Sequence, residues 1–181
     1  MKNPPGRRAA ALLLIALGLS ACSSPVPNRD PLGEPFPEVA GKTLAGEPLE
    51  LPGALGGAPA VLLVGYVQDA QFDADRWLYG LLQAELPVAV YELPTIPGLF
   101  PRALSGRIDA GMRSGIPAED WAAVVTVYGE RAARIVALTG NESPRNVRVL
   151  LLDSNGRVLW FHDRGFSAGK LIELQQAVRD A

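Results

Sequence analysis

Hydrophobic and polar positions divide the chain into three stretches. Residues 9–19 read AAALLLIALGL, an unbroken apolar run preceded by Lys2, Arg7 and Arg8. The run is about half the ~20 residues that a membrane-spanning helix needs, which suits the middle region of a signal peptide. Residues 23–37 (SSPVPNRDPLGEPFP) are polar and carry five prolines, a composition that forbids a helix and predicts an extended tether. From Val39 onward, apolar residues recur with the periods of strands and helices, and no stretch after residue 22 is long and apolar enough for a second membrane segment.

Within the third stretch, Lys42–Leu44 and Pro48–Leu51 flank Ala45-Gly46-Glu47 and predict a small hairpin. Ala60–Val67 (AVLLVGYV) is a continuous run of β-formers, expected as a central strand buried on both faces. Asp73 is placed to cap a helix through about Ala84, with Trp77, Leu78, Leu81 and Leu82 as its apolar stripe. Leu86–Leu93 reads as a strand that stops at Pro94. Residues 94–112 read as irregular, with a helical segment near Arg102–Ala110. A helical turn at Pro117–Ala122, a buried strand at Ala123–Tyr128 and a short helix over Glu130–Leu138 follow. Val147–Leu152 and Arg157–His162 predict a hairpin, with Asn155-Gly156 supplying two positive-φ residues to a tight turn. Ser167 is an expected N-cap for a last helix carrying Leu171, Leu174 and Val178 on one face. The order is βαβ, a long connection, βα, then a hairpin and a helix: an α/β domain with a central mixed sheet flanked by helices.

Cysteine usage changes the picture most. Cys22 is the single cysteine of 181 residues, so the domain has no internal disulfide, no CxxC couple and no thiolate metal cluster. Leu19-Ser20-Ala21-Cys22 resembles the lipobox read by the bacterial lipoprotein signal peptidase, with Leu19, Ser20 and Ala21 as recognition residues and Cys22 as the lipidated one. The resemblance implies cleavage before Cys22 and a covalent lipid there, each buried methylene adding ~0.8 kcal/mol of membrane affinity. The expected organisation is a signal peptide at 1–21, a lipidated cysteine and tether at 22–37, and a domain at 38–181. Ser23 follows the cysteine where an Asp would suggest inner-membrane retention, and resemblance to lipoprotein sorting in enteric bacteria implies the periplasmic face of the outer membrane. Cleavage leaves fourteen basic residues against nineteen acidic ones, a net charge of −5 and no footprint for nucleic acid.

The element order resembles the thioredoxin fold over about residues 36–180. It is carried by the strand Ala60–Val67 after a proline-flanked hairpin, the helix starting near Asp73, and Val149–Val158, which is similar to the strand–Asp–x–x–Gly–x–hydrophobic hairpin of peroxiredoxin-like and thioredoxin-like proteins. Aligned on strand ends, the redox cysteines of that fold fall near Gln71 and Ala74, and its cis-proline near Val147, the nearest proline being Pro144. Thiol oxidoreductase and peroxidase chemistry needs a thiolate and is excluded on this reading. The Trp77 helix start, Tyr91-Glu92-Leu93-Pro94-Thr95-Ile96-Pro97, Gly111-Met112-Arg113 with Ile116-Pro117, the Asp153–Gly156 turn and Leu159-Trp160 together resemble the ATP-synthase assembly-factor (Atp-ten) family. That resemblance implies a chaperone-like role in membrane-complex assembly.

Other candidate chemistry stays open at this level. Asp69, Asp73 and Asp75 form an acidic loop that suits Ca²⁺ or acid–base work, but they lack the glycine and distal Glu of an EF-hand, and a solvated loop with Asp73 as cap competes. Arg76 and Trp77 suit a recognition surface, with Trp77 equally a core residue. Arg102, Arg107 and Arg113 suit either an anion-binding patch or scattered solvation. His162 is the lone histidine, its neighbour Asp163 points to the opposite strand face, and no partners for zinc accompany it. No metal or cofactor is expected beyond the lipid on Cys22. The expected function is a redox-inactive, membrane-anchored protein that binds a client of an envelope complex, with Asp69, Asp73, Arg76, Trp77, Tyr91 and Arg113 as contact candidates. The competing expectation is a non-thiol enzyme, such as an envelope hydrolase, using the acidic loop at 69–75 with His162. A ligand carrier with an apolar pocket beside the 94–117 insertion is a third.

Overall fold

The computed structural model of the protein describes residues 25–98 and 102–181, so the segment 1–21 (with Leu19, Ser20 and Ala21) and Cys22 lie outside the described residues. The elements follow in the order β1 (Val39–Thr43), β2 (Pro48–Leu51), β3 (Ala60–Gly65), α1 (Gln71–Gln83), β4 (Ala89–Ile96), α2 (Arg102–Gly115), β5 (Val125–Tyr128), α3 (Glu130–Thr139), β6 (Arg148–Leu152), β7 (Val158–His162) and α4 (Ala168–Asp180). The strands form one seven-stranded mixed sheet in the order β2-β1-β5-β4-β3-β6-β7. β3, β4 and β5 run parallel and the remaining neighbours are antiparallel.

The apolar run at β3 is central because both of its faces are covered. Val61 and Leu63 pack with Trp77 and Leu81 of α1 and Leu174 of α4. Leu62 and Val64, on the other face, pack with Ile135 and Val136 of α3. Side chains alternate across a strand, so a strand between two helical layers must be apolar at every position.

Three local features depart from the sequence pattern. β4 continues through Pro94 to Ile96 instead of stopping. The Glu92 N–H donates to Ala123 O at 2.9 Å, toward β5, and Pro94, two residues on, turns its donor-less nitrogen to the same side. Pairing with β5 resumes at Thr95 and Ile96, while the β3 side pairs Gly65 with Pro94.

In the β6–β7 turn only Gly156 has positive φ, at 77°; Asn155 does not. Asp153 organises the loop instead, its Oδ1 accepting from the N–H groups of Asn155 and Arg157, each at 2.8 Å. An Asp side chain that caps its own loop leaves one left-handed position to fill, and glycine fills it. A Cβ there would also meet Pro52 Cγ at 2.4 Å.

The expected tether is laid along the domain from its first described residue. Val26 exchanges bonds with Asn141 (its N–H to Asn141 Oδ1 at 2.7 Å, and Asn141 N–H to its carbonyl at 2.9 Å). Arg29 N–H reaches Thr139 O, Gly33 N–H reaches Val158 O and Phe36 N–H reaches Gly156 O, with Phe36 in the core. The prolines forbid a helix, as expected, but Val26, Asn28, Arg29, Gly33 and Phe36 keep the donors that pair this strap to the domain. At Gly140, with φ 69°, a Cβ would lie 2.1 Å from Pro27 O, so the strap requires glycine there.

Candidate functional site

Three segments meet at the C-terminal end of β3: the turn 66–70 leading into α1, the loop 143–147 leading into β6, and the loop 163–167 leading into α4. Asp73 joins them. It is 2% exposed and sits in the first turn of α1, where a negative charge suits the helix dipole. The helix starts at Gln71, so Asp73 is not its cap. Its Oδ2 accepts from Val147 N–H at 3.0 Å, and its Oδ1 accepts from Phe166 N–H at 2.8 Å and from Arg76 Nη2 at 3.2 Å. A carboxylate in this position replaces solvent for two backbone donors from distant loops, and hydrogen bonds to an ionised acceptor are about twice as strong as neutral ones. The N–H of Val147 is consumed in this tie, which a proline at that position could not supply.

Arg148 holds the same loop from the opposite face of the sheet. It is fully buried, with Nη1 donating to Ser143 O at 2.8 Å and Asn146 O at 2.7 Å, and Nη2 to Asn28 Oδ1 of the strap at 2.8 Å. Its guanidinium lies 5.1 Å from the centre of the Tyr66 ring. Among the described residues no carboxylate bonds it, and its Nε has no hydrogen-bond partner. Burial therefore pushes the Arg148 pKa down, only partly opposed by Tyr66 and Asp163. Tyr66 is shifted up to about 12, chiefly by burial, with its hydroxyl bonded to Thr139 Oγ1 at 2.7 Å.

Beside Asp73 an open cleft of about 360 Å³ is lined by Asp69, Phe72, Asp73, Arg76, Arg145 and Asn146. Asp69 Oδ2 faces Arg145 Nε across it at 3.4 Å, and Phe72 is 75% exposed at its edge. Gln71 and Ala74 occupy the positions expected for redox cysteines. The Gln71 amide donates to Asp75 at 2.9 Å and to Glu92 at 3.2 Å, and Ala74 is buried. The pKa of the half-buried Glu92 is raised, chiefly by desolvation, with Asp75 and Asp120 adding repulsion against the lowering Gln71 hydrogen bond. The acidic loop thus resolves into separate roles: Asp73 is a structural tie, Asp69 an exposed ion pair, and Asp75 a partner of Gln71.

The remaining candidates fall elsewhere. Trp77 is 0% exposed, packed edge-on to Phe166 at 5.3 Å and Trp160 at 6.2 Å, so its place is the core. Tyr91 is half-buried on the α3 face of the sheet. Arg113 donates from Nε to Leu44 O at 2.6 Å and lies over Trp121. Arg107 is exposed six residues before Arg113 on α2, a spacing that places the two on different helix faces; the side chain of Arg102 is outside the described residues. His162 engages Gly165 O through Nε2 at 2.8 Å and packs against Trp77, with no bond to Asp163. Among the described residues, no group of three His, Cys, Asp or Glu is placed to hold a metal ion. Phe72, Arg145 and Asn146, unmarked by any motif, line the cleft beside Asp69 and Arg76. For Arg148 a signal did exist, as the one charge inside the apolar run 147–152.

No protein-family model matches the sequence, and no curated protein matches it. Solved structures do. A candidate protein disulfide isomerase from Bacteroides thetaiotaomicron superposes with a TM-score of 0.58 at 14% identity, over 87% of this chain and 93% of that one. Copper-bound yeast Sco1 matches with a TM-score of 0.53 at 12% identity, over 84% and 96%. The exposed lipoprotein thioredoxin Etrx1 of Streptococcus pneumoniae matches with a TM-score of 0.52 at 10% identity, over 80% and 100%. With one cysteine in the chain there is no CxxC pair. The chain has a thioredoxin-like α/β fold, a mixed seven-stranded sheet flanked by four helices.

Proposed function

We propose that the protein is a lipid-anchored envelope protein whose thioredoxin-like domain binds protein partners without thiol chemistry and supports assembly or folding of an envelope complex. The observation that carries this reading is the content of the cleft. No thiol lines it, Gln71 and Ala74 stand where the redox cysteines are expected, its carboxylates are committed to other groups, and an exposed Phe72 stands beside Arg76 and Arg145. Aromatic and arginine side chains at an open rim are the residue types over-represented in binding hot spots. The lipobox at Leu19–Cys22 supplies the anchor, and the Atp-ten resemblance supplies the assembly role.

In-cell crosslinking and pull-down of the Cys22-anchored chain tests the partner claim. A defined envelope protein should be enriched over a control lipoprotein, and recovery of none sinks the assembly reading. For the anchor, Cys22→Ala should leave the precursor unprocessed and block lipid labelling; normal processing and labelling would contradict it.

A further inference from the structure

The docked strap shortens the tether from the fifteen residues 23–37 to the two residues before Pro25. Val26 is already bonded to Asn141, and Asn28 Oδ1 accepts from Glu142 N–H and from the buried Arg148. Only Ser23 and Ser24 separate Cys22 from Pro25, and in any conformation the three steps from Cys22 to Pro25 span at most ~11 Å, at about 3.6 Å per residue. A lipid on Cys22 therefore holds the start of the strap against the headgroup layer.

Strand registers say which end of the domain this is. Arg148 pairs with Val64 at the C-terminal end of β3, and His162 pairs with Val149 beside it. The strap then runs down to Gly156 and Val158 at the other end, about 20 Å away for a six-residue strand. The anchored end is thus the end that carries the cleft. Three exposed apolar side chains belong to segments at that end: Val26 on the strap, Val67 after β3 and Phe72 in the first turn of α1.

We propose that the domain docks flush on the bilayer through this end, with Val26, Val67 and Phe72 in contact with the headgroup layer and the cleft opening at the membrane surface. The proposal rests on lipidation of Cys22. Its occupant is a zwitterionic lipid surface: the net charge of −5 after cleavage disfavours an anionic one, and apolar side chains with paired arginines suit a neutral interface. The partner bound at the cleft is then a membrane-embedded protein or its juxtamembrane segment.

The test uses the lipidated full chain in phosphatidylcholine–phosphatidylethanolamine vesicles. Single fluorophores are placed through Val67→Cys at the anchored end and Ala54→Cys at the far end, and quenching by headgroup-labelled lipid is measured. Quenching severalfold stronger at position 67 than at 54 is the expected result. If the chain floats with the vesicles but both positions quench alike, the orientation is overturned while the anchor stands. If the chain does not float, the anchor reading falls and takes the orientation with it. Lengthening the free tether by a flexible insertion between Ser24 and Pro25 should erase the difference between the two positions, and a difference that survives it would mean that the strap does not set the orientation.

Discussion

Asp73 and Arg148 are both buried charges, both hold the loop 143–147, and they solve the same problem in opposite ways. Asp73 takes up two backbone N–H groups and a guanidinium, so every group it touches gains from its charge. Arg148 bonds two carbonyls and a side-chain amide oxygen, stacks over Tyr66 and leaves Nε orphaned. The difference shows that burial of a charge is no measure of its worth. What counts is which partners are stranded when it goes.

Replacing each by an apolar residue of similar shape should have unequal costs. Asp73→Leu strands the N–H groups of Val147 and Phe166 and should cost about 3–5 kcal/mol, read by denaturant unfolding. A loss below about 1 kcal/mol would mean that the tie is not structural. Gly140→Val drives a side chain into Pro27 O and should cost about 2 kcal/mol, with faster amide exchange at Arg29 and Asn141 as the strap lifts. Arg148→Met should cost only about 1 kcal/mol, because Ser143 O keeps Asn146 N–H and Asn28 Oδ1 keeps Glu142 N–H, leaving one carbonyl short. A loss equal to that of Asp73→Leu would erase the contrast.

The smallest effect is at Glu92, whose folded pKa is raised. Its neutral form is the favoured one, so its contribution is fully present below the ordinary carboxylate pKa near ~4.3 and is lost as pH rises through the raised value. Glu92→Gln keeps an acceptor for Gln71 and should stabilise the protein slightly at pH 7 and leave it unchanged near pH 4. An equal gain at both pH values would show that ionisation is not the cause.

The order of elements along the chain is legible because buried strands and amphipathic helices write their periods locally. Val61–Val64 of the run 60–67 and Trp77 and Leu81 of the expected stripe are buried as their periods announce, whereas the strand ends at Gly65, and Val67 and Leu82 are exposed. The site was legible in outline only. Asp73 was visible as an acid at a helix start, but its partners lie 74 and 93 residues away, and nothing near it in sequence encodes them. The strap was hidden for the same reason. Proline content reports what its backbone cannot form, whereas Asn141, Glu142 and Gly140 determine where it docks. Pro94 and Asn155 misled in the other direction, since a strand can turn a proline toward a gap and an Asp can replace one left-handed residue.

Site-specific photocrosslinking in cells asks whether a partner sits at the cleft. A photoreactive residue at Arg76, on the cleft rim, should give a discrete adduct with an envelope protein, and one at Ala54, at the far end, should not. Equal labelling from both positions, or an adduct from Ala54 alone, would contradict a partner-binding cleft.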